Sequence, residues 1–241
     1  MRAVVLRRGR LEVGQTADPV PGPGEMLLRT LSTAICASDV HYMDHPETVT
    51  NDATGRFVYD ENRDIVMGHE FVGEVAAHGP GCAGTFPIGT RVTSIPILLT
   101  VNGGTRVIGQ HPDAPGSFGE LMLISEALAR AVPDGVGSDA AALVDAFAVG
   151  EFYVRSSRIA AGEIPLVIGA GAIGLSAVAA LALRNVAPIV VSDYNDAVCA
   201  GRLDPLPSVG MVIDLDGVPE AIDLARRAEG PPRIIVHPQA D

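Results

Sequence analysis

The 241-residue chain carries 17 Lys and Arg against 29 Asp and Glu, a net charge of −12, with 47% apolar and 19% charged residues. That composition belongs to a folded chain of one or two domains, not a disordered one, and its acidity excludes nucleic acid as the main partner, since phosphate binding needs clustered Lys and Arg. The best apolar stretch, residues 175–183, is far short of the roughly 18–20 residues of a membrane span, so no membrane partner is expected.

The opening MRAVVLRRGR has Arg on both sides of a short apolar run and holds no signal-peptide core. The first 130 or so residues then read as β-rich. Short apolar or alternating runs at 4–6, 26–35, 71–76, 91–95 and 120–124 are separated by PVPGPGE, HGPGCAG and DAPGSFG. Short strands with frequent turn signals predict a barrel or sandwich. Residues 44–64 are polar, acidic and without periodicity, which predicts a long surface loop.

The character changes near residue 138. Ser138 is a plausible N-cap for an Ala-rich helix, SDAAALVDAFAV, and a second helix follows over 151–161. Strands at 164–168, 189–192, 211–213 and 233–236 then alternate with helices at 172–184, 197–203 and 218–228. Continuous apolar strands alternating with helices predict a parallel sheet covered on both faces.

LVIGAGAIGLSAV places Gly169, Gly171 and Gly174 in a G-x-G-x-x-G pattern between a predicted strand and a predicted helix. Gly169 permits the tight turn, Gly171 lets a pyrophosphate approach the backbone beside Ile173, and Gly174 lets helix and strand pack closely. The helix N-terminus offers free N–H groups and a positive dipole end to phosphates. Asp193 ends the next strand; a carboxylate there accepts hydrogen bonds from adenosine ribose hydroxyls and repels a 2′-phosphate, which favours NAD over NADP. The competing reading is a Gly-rich turn in an ordinary α/β fold.

Three other segments carry metal-ligand and proton-transfer side chains. TAICASDVHYM holds Cys36, Ser38, Asp39 and His41; MGHEFVGEV holds His69 and Glu70; LVDAFAVG holds Asp145. Taken singly, a Cys or His is more often a packed core residue, and the carboxylates more often solvated charges. Together they make one zinc site: Zn²⁺ takes thiolate, imidazole and carboxylate, and a catalytic ion keeps a position open. Cys36 lies where a strand gives way to a helical turn, a position that favours the ligating thiolate. Asp39 is the natural acceptor for the second N–H of His69. The three cysteines, Cys36, Cys82 and Cys199, are too few for a disulfide framework, and a reducing cytoplasm is the expected compartment.

These motifs resemble the zinc-dependent branch of the medium-chain dehydrogenase/reductases, the zinc alcohol dehydrogenase group. The resemblance runs from MRAVVLRRG through C-A-S-D-V-H, G-H-E-F-V-G-E-V, P-I-G-T-R-V, G-S-F-G-E-L, L-V-D-A-F-A-V-G and V-I-G-A-G-A-I-G-L to V-V-S-D. It implies an N-terminal GroES-like β domain, residues 1–150, followed by an incomplete Rossmann doubly wound parallel sheet for NAD, residues 151–241. It also implies the chemistry: an alcohol or polyol oxidised, or a carbonyl reduced, by hydride exchange with NAD. By position, Cys36, His69 and Asp145 resemble the zinc ligands and Glu70 the carboxylate beside the metal. Ser38 resembles the hydroxyl at the substrate oxygen, and His41 the outer end of a proton relay.

Departures from the pattern matter as much. Residues 92–120 contain no Cys, so no structural zinc is expected. Asp145 stands where many members have Glu and others Cys, and reaches one methylene less far. The chain stops at IIVHPQAD, after what reads as the fourth Rossmann strand, whereas a full fold has six. On this reading the segment returning to the β domain and the usual edge for homo-oligomers are missing, on the order of 100 residues, and strand 233–236 is an open apolar edge. A non-catalytic nucleotide-binding remnant is the alternative, and a zinc-free quinone reductase relative a third reading.

Overall fold

The computed structural model describes residues 1–46, 48, 52–193, 209–227 and 233–239. Strand β1 (Arg2–Arg7) pairs antiparallel with β2 (Arg10–Gln15) through a turn at Arg8 and Gly9, both at positive φ. Strand β3 (Glu25–Ala34) is the longest of the described strands and the axis of the molecule. Helix α1 (Ala37–Asp44) follows it directly, and β4 (Ile65–Val66) completes a three-stranded sheet, β2-β1-β4. Beyond these lie β5 (Glu70–His78), β6 (Arg91–Ser94), the hairpin β7 (Ile97–Leu99) and β8 (Thr105–Val107), β9 (Leu121–Ser125) and β10 (Ala129–Ala131). Among the described residues the strands make four separate sheets and no closed barrel, where short strands predict a barrel or sandwich.

Helices α2 (Ser138–Ala142) and α3 (Val144–Ser157) lead to β11 (Leu166–Ile168), α4 (Ala172–Ala182) and β12 (Val190–Ser192). Strands β11 and β12 pair in parallel, as a crossover through a helix requires. Val154, Ala180 and Leu181 make a small core beneath them, joined by Val167 and Ile189. Helices α3 and α4 cross closely at Gly150, where a Cβ would stand 2.6 Å from the backbone of Ser176 and Ala177. The expected helix at 197–203 and Cys199 lie outside the described residues.

The last segment departs from expectation. Strands β13 (Val209–Ile213) and β14 (Arg233–Val236), with helix α5 (Val218–Arg226) between them, do not extend the β11–β12 sheet. Strand β14 pairs in parallel with β13 and antiparallel with β3, in the register Ile235 to Ala34 and Val236 to Thr33. The seven-stranded sheet therefore runs β10-β6-β5-β3-β14-β13, with β9 sharing the β3 edge at residues 25–29. Helix α5 and strand β14 thus pack with the strands of the first 150 residues. Strand β14 has a partner on each side, where the sequence reading expected an open apolar edge. The cause is burial: Ile234, Ile235 and Val236 are all at most 3% exposed, and Leu215, Val218, Ala221 and Ile222 fill one core with Val4, Leu6, Ile35, Tyr42 and Phe118. Burying about ten such side chains is worth far more than leaving the strand as an open edge.

Candidate functional site

Strand β3 ends at Ala34 and the chain turns into α1 with Cys36 as its N-cap. The turn is fixed from within: the Cys36 N–H donates to the Asp39 carboxylate at 3.0 Å, and the Asp39 N–H to the Cys36 carbonyl at 3.0 Å. This leaves Asp39 fully buried with its other oxygen, Oδ1, facing outward from the turn. His69 arrives there from the start of β5, its Nδ1 3.0 Å from that oxygen. Such a contact orients the ring and leaves Nε2 for another partner; Ser38 Oγ lies 3.1 Å from it.

The approach of β5 depends on Gly68. Its φ is +91°, and a Cβ there would lie 2.6 Å from the Phe118 ring and 2.8 Å from the Phe118 nitrogen. Only glycine combines that backbone with that proximity. Thr33 Oγ1 then donates to the Glu70 carbonyl at 2.7 Å, which holds the strand while the Glu70 side chain turns to the same space as His69.

Ligand atoms of Cys36, His69 and Glu70 lie within 4.8 Å of one another, the one such cluster among the described residues. Glu70 is 1% exposed; Arg233, on β14, donates to its Oε2 at 2.6 Å, while Oε1 is buried without a hydrogen-bond partner. An orphaned carboxylate oxygen costs free energy unless something positive meets it. A soft thiolate, an imidazole and that oxygen make a donor set suited to a divalent cation such as zinc.

The electrostatics follow from burial. Burial opposes charge on His69, but Asp39 and Cys36 outweigh it and raise its pKa well above the usual value. Burial raises Glu70, offset in part by Arg233 and His69. Burial likewise raises Asp145, again against the pull of His69 and Arg233. Asp145 is half-buried in the first turn of α3, close enough to exchange field with the cluster but outside its three-residue set. His41 lies on the exposed side of α1, its ring 4.9 Å from that of His45, and is not brought into the buried cluster.

A cavity of about 620 Å³ opens beside the cluster, lined on one side by Cys36, Ala37 and Arg233 and on the other by residues 165–169, Gly171, Ile173 and Gly174. Gly169 has φ +91°, and a Cβ on Gly174 would sit 1.8 Å from the Gly169 carbonyl oxygen, so the loop closes only without side chains. Gly171 caps α4 with open space where its Cβ would be. Asp193 accepts a short hydrogen bond from the Ala170 N–H, which ties its carboxylate to the loop. Arg233 was missed in the sequence because strand 233–236 was placed in the other sheet; a lone Arg opening an all-apolar strand was the available signal.

Residues 22–134 match the alcohol dehydrogenase GroES-like domain family. The chain is 35% identical over 196 residues to L-galactonate-5-dehydrogenase of Escherichia coli, covering 76% of this chain and 53% of that protein. It is 30% identical over 239 residues to human sorbitol dehydrogenase, covering 94% and 63%. It therefore spans little more than half the length of such relatives. In fold it is similar to 2R,3R-butanediol dehydrogenase of Bacillus subtilis (TM-score 0.76, 19% identity, 99% of each chain). It is likewise similar to acetophenone reductase of Geotrichum candidum, a structure in complex with NAD (TM-score 0.71, 17% identity, 98% and 96%).

Proposed function

The chain belongs to the zinc-dependent medium-chain dehydrogenase/reductase family, and from that premise we propose that it is an oxidoreductase exchanging hydride between an alcohol or polyol and NAD at one zinc site. The observation that carries this is the convergence of Cys36, His69 and the unpartnered Glu70 Oε1 at the mouth of a glycine-loop cleft. Lewis acidity at the alcohol oxygen and a hydride-accepting ring are the chemistry that zinc and NAD supply when bound.

The chain's own residues do the rest. Cys36, His69 and Glu70 would hold the ion, with Asp145 as a further carboxylate nearby. Asp39 fixes the His69 ring through Nδ1 and so leaves Nε2 available as a ligand atom, and Arg233 steadies one Glu70 oxygen while leaving the other unpartnered. Ser38 Oγ, beside that ring, takes the hydroxyl proton of the substrate, and His41, three residues on and open to water, receives it at the rim. Backbone N–H groups at the start of α4 would receive the pyrophosphate, and Asp193 would accept from the adenosine ribose hydroxyls. Residues 92–120 contain no Cys, so the reading includes no second zinc there. Among the described residues no helix is long and apolar enough to cross a membrane; the cytoplasm, which keeps a ligating thiolate reduced, is the compartment that suits the site.

Incubation of the zinc-loaded protein with NAD and a panel of secondary alcohols and diols, followed by NADH absorbance, tests the reading. Turnover that disappears in Cys36→Ser supports it. No turnover with any substrate, with NAD still bound, favours the second reading, a nucleotide-binding remnant of the same fold. That reading has its own support in the β11–β12 sheet, which has only two strands among the described residues.

A further inference from the structure

Of the six histidines, His69, His78, His111 and His237 are buried or half-buried, each with a ring nitrogen in a hydrogen bond within the protein. His41 and His45 are the two exposed ones, and they lie side by side. Helix α1 buries Asp39 and Tyr42, so positions 41 and 45, four apart, share the outward side. The spacing holds to the end of the helix: His45 is the C-cap, and its N–H still donates to the His41 carbonyl at 2.9 Å.

Two imidazoles at i and i+4 on one helical face are a metal-binding pair. With a metal–nitrogen distance of about 2.0–2.1 Å, two rings sharing one ion have their centres roughly 4.5–5.3 Å apart. The ring centres of His41 and His45 are 4.9 Å apart, within that range. The surroundings favour a cation. The pair sits at the C-terminal end of α1, the negative end of its dipole. Asp44 stands between them in sequence; its pKa is lowered by the Arg226 hydrogen bond against burial, and His45 and His41 add to the effect, so its charge reaches both rings. The Arg226 guanidinium is matched by Asp44 and Asp223 together, which leaves the neighbourhood acidic.

We infer that His41 and His45 form a second metal site, open to solvent, for a divalent transition ion of the nickel, copper or zinc class, and that an ion there stops turnover. The site itself is independent of the activity proposed above; its inhibitory effect rests on that reading, in which the His41 ring receives the outgoing proton. With an ion on one ring nitrogen and a hydrogen on the other, the ring has no lone pair left for that proton. Two imidazoles without a thiolate hold zinc less tightly than the buried cluster, so this site fills second. Affinity for such nitrogen ligands rises from Co²⁺ through Ni²⁺ to Cu²⁺, and Ni²⁺ is the probe because it leaves thiols unoxidised.

The full chain, loaded with zinc at the buried cluster, is titrated with Ni²⁺ by calorimetry and assayed in parallel with NAD and the alcohol panel. The inference predicts about one further equivalent of Ni²⁺ bound with zinc content unchanged, and binding weakened at least about tenfold in both His41→Asn and His45→Asn. Turnover of the parent protein falls as Ni²⁺ fills the site. His45→Asn turns over like the parent without nickel and withstands about tenfold more of it. No Ni²⁺ bound below about 1 mM, or binding unchanged in either variant, overturns the site. Binding that leaves turnover intact, or equal inhibition of His45→Asn and the parent, overturns the inhibitory role while the site stands. No turnover of any alcohol even without Ni²⁺ removes the dehydrogenase reading and the inhibitory role with it, and the calorimetry still decides the site.

Discussion

Arg233 offers the sharpest perturbation of the structure. Its guanidinium and the Glu70 carboxylate are 4% and 1% exposed in the side chain, with a 2.6 Å hydrogen bond between them. Arg233→Met keeps most of the volume and removes the charge. The Glu70 carboxylate is then buried without a partner on either oxygen. Breaking a buried pair from one side costs about 3–5 kcal/mol, a large share of the roughly 5–15 kcal/mol that holds a domain together. For a chain of this size that is a fall in Tm of about 6–20 °C. The assay is urea unfolding followed by far-ultraviolet circular dichroism on chelator-treated protein. Two controls sharpen it. In Glu70→Met/Arg233→Met neither charge remains, and most of the loss is recovered. Burial already raises the Glu70 pKa, so its ionised form costs stability above that pKa and the cost fades as pH falls; the Arg233→Met defect is therefore smaller at acid pH than at neutral pH. A loss below about 0.5 kcal/mol, the size of a surface substitution, would refute the placement of β14 beside Glu70.

Other outcomes follow from the same geometry. Gly150→Ala places a methyl group 2.6 Å from the backbone of Ser176 and Ala177 and loses about 1–3 kcal/mol by overpacking despite alanine's better helix propensity; a midpoint at or above that of the parent protein counts against the α3–α4 crossing. Gly174→Ala, with its Cβ 1.8 Å from the Gly169 oxygen, opens the loop and lowers ADP-ribose affinity at least about tenfold with zinc content unchanged, as paired calorimetry and metal analysis show. His69 is raised well above its usual pKa by Asp39 and Cys36 against the opposing effect of burial, and Glu70 and Asp145 are raised by burial. The metal-free site therefore holds protons that a cation must displace, and zinc affinity climbs with pH. Zinc titrations in two buffers of different ionisation enthalpy show different observed heats; equal heats contradict the protonated site.

The parts of the molecule that sequence makes legible are those where a local rule is strict. Gly169, Gly171 and Gly174 have fixed spacing because a tight loop, an open approach and a close crossing each demand a missing side chain. Cys36 and Asp39 are three apart because an N-cap and the third helical residue face each other, and that local turn leaves Asp39 free to meet His69. Long-range pairing is less legible. The Ile-Ile-Val of β14 is continuously apolar, and such a strand fits the centre of either sheet; what selects β3 is the fit of α5 against Tyr42 and Ile35 and the need of Glu70 for Arg233, neither of which leaves a periodic trace. The same gap explains the barrel expectation, since short strands and Gly-Pro turns do not say which edges meet. Asp145 and His41 show the limit at the site: position in a motif brings Asp145 near the cluster without placing it in the ligand set, and leaves His41 on the exposed side of α1.

Cobalt replaces zinc in such sites and reports its own ligands. Chelator-treated protein titrated with Co²⁺ is predicted to bind about one equivalent, with a thiolate charge-transfer band in the near ultraviolet that disappears in Cys36→Ser and weakens in both His69→Ala and Glu70→Ala. Saturation with no such band, or a band indifferent to Cys36, would contradict a cation shared by these three residues.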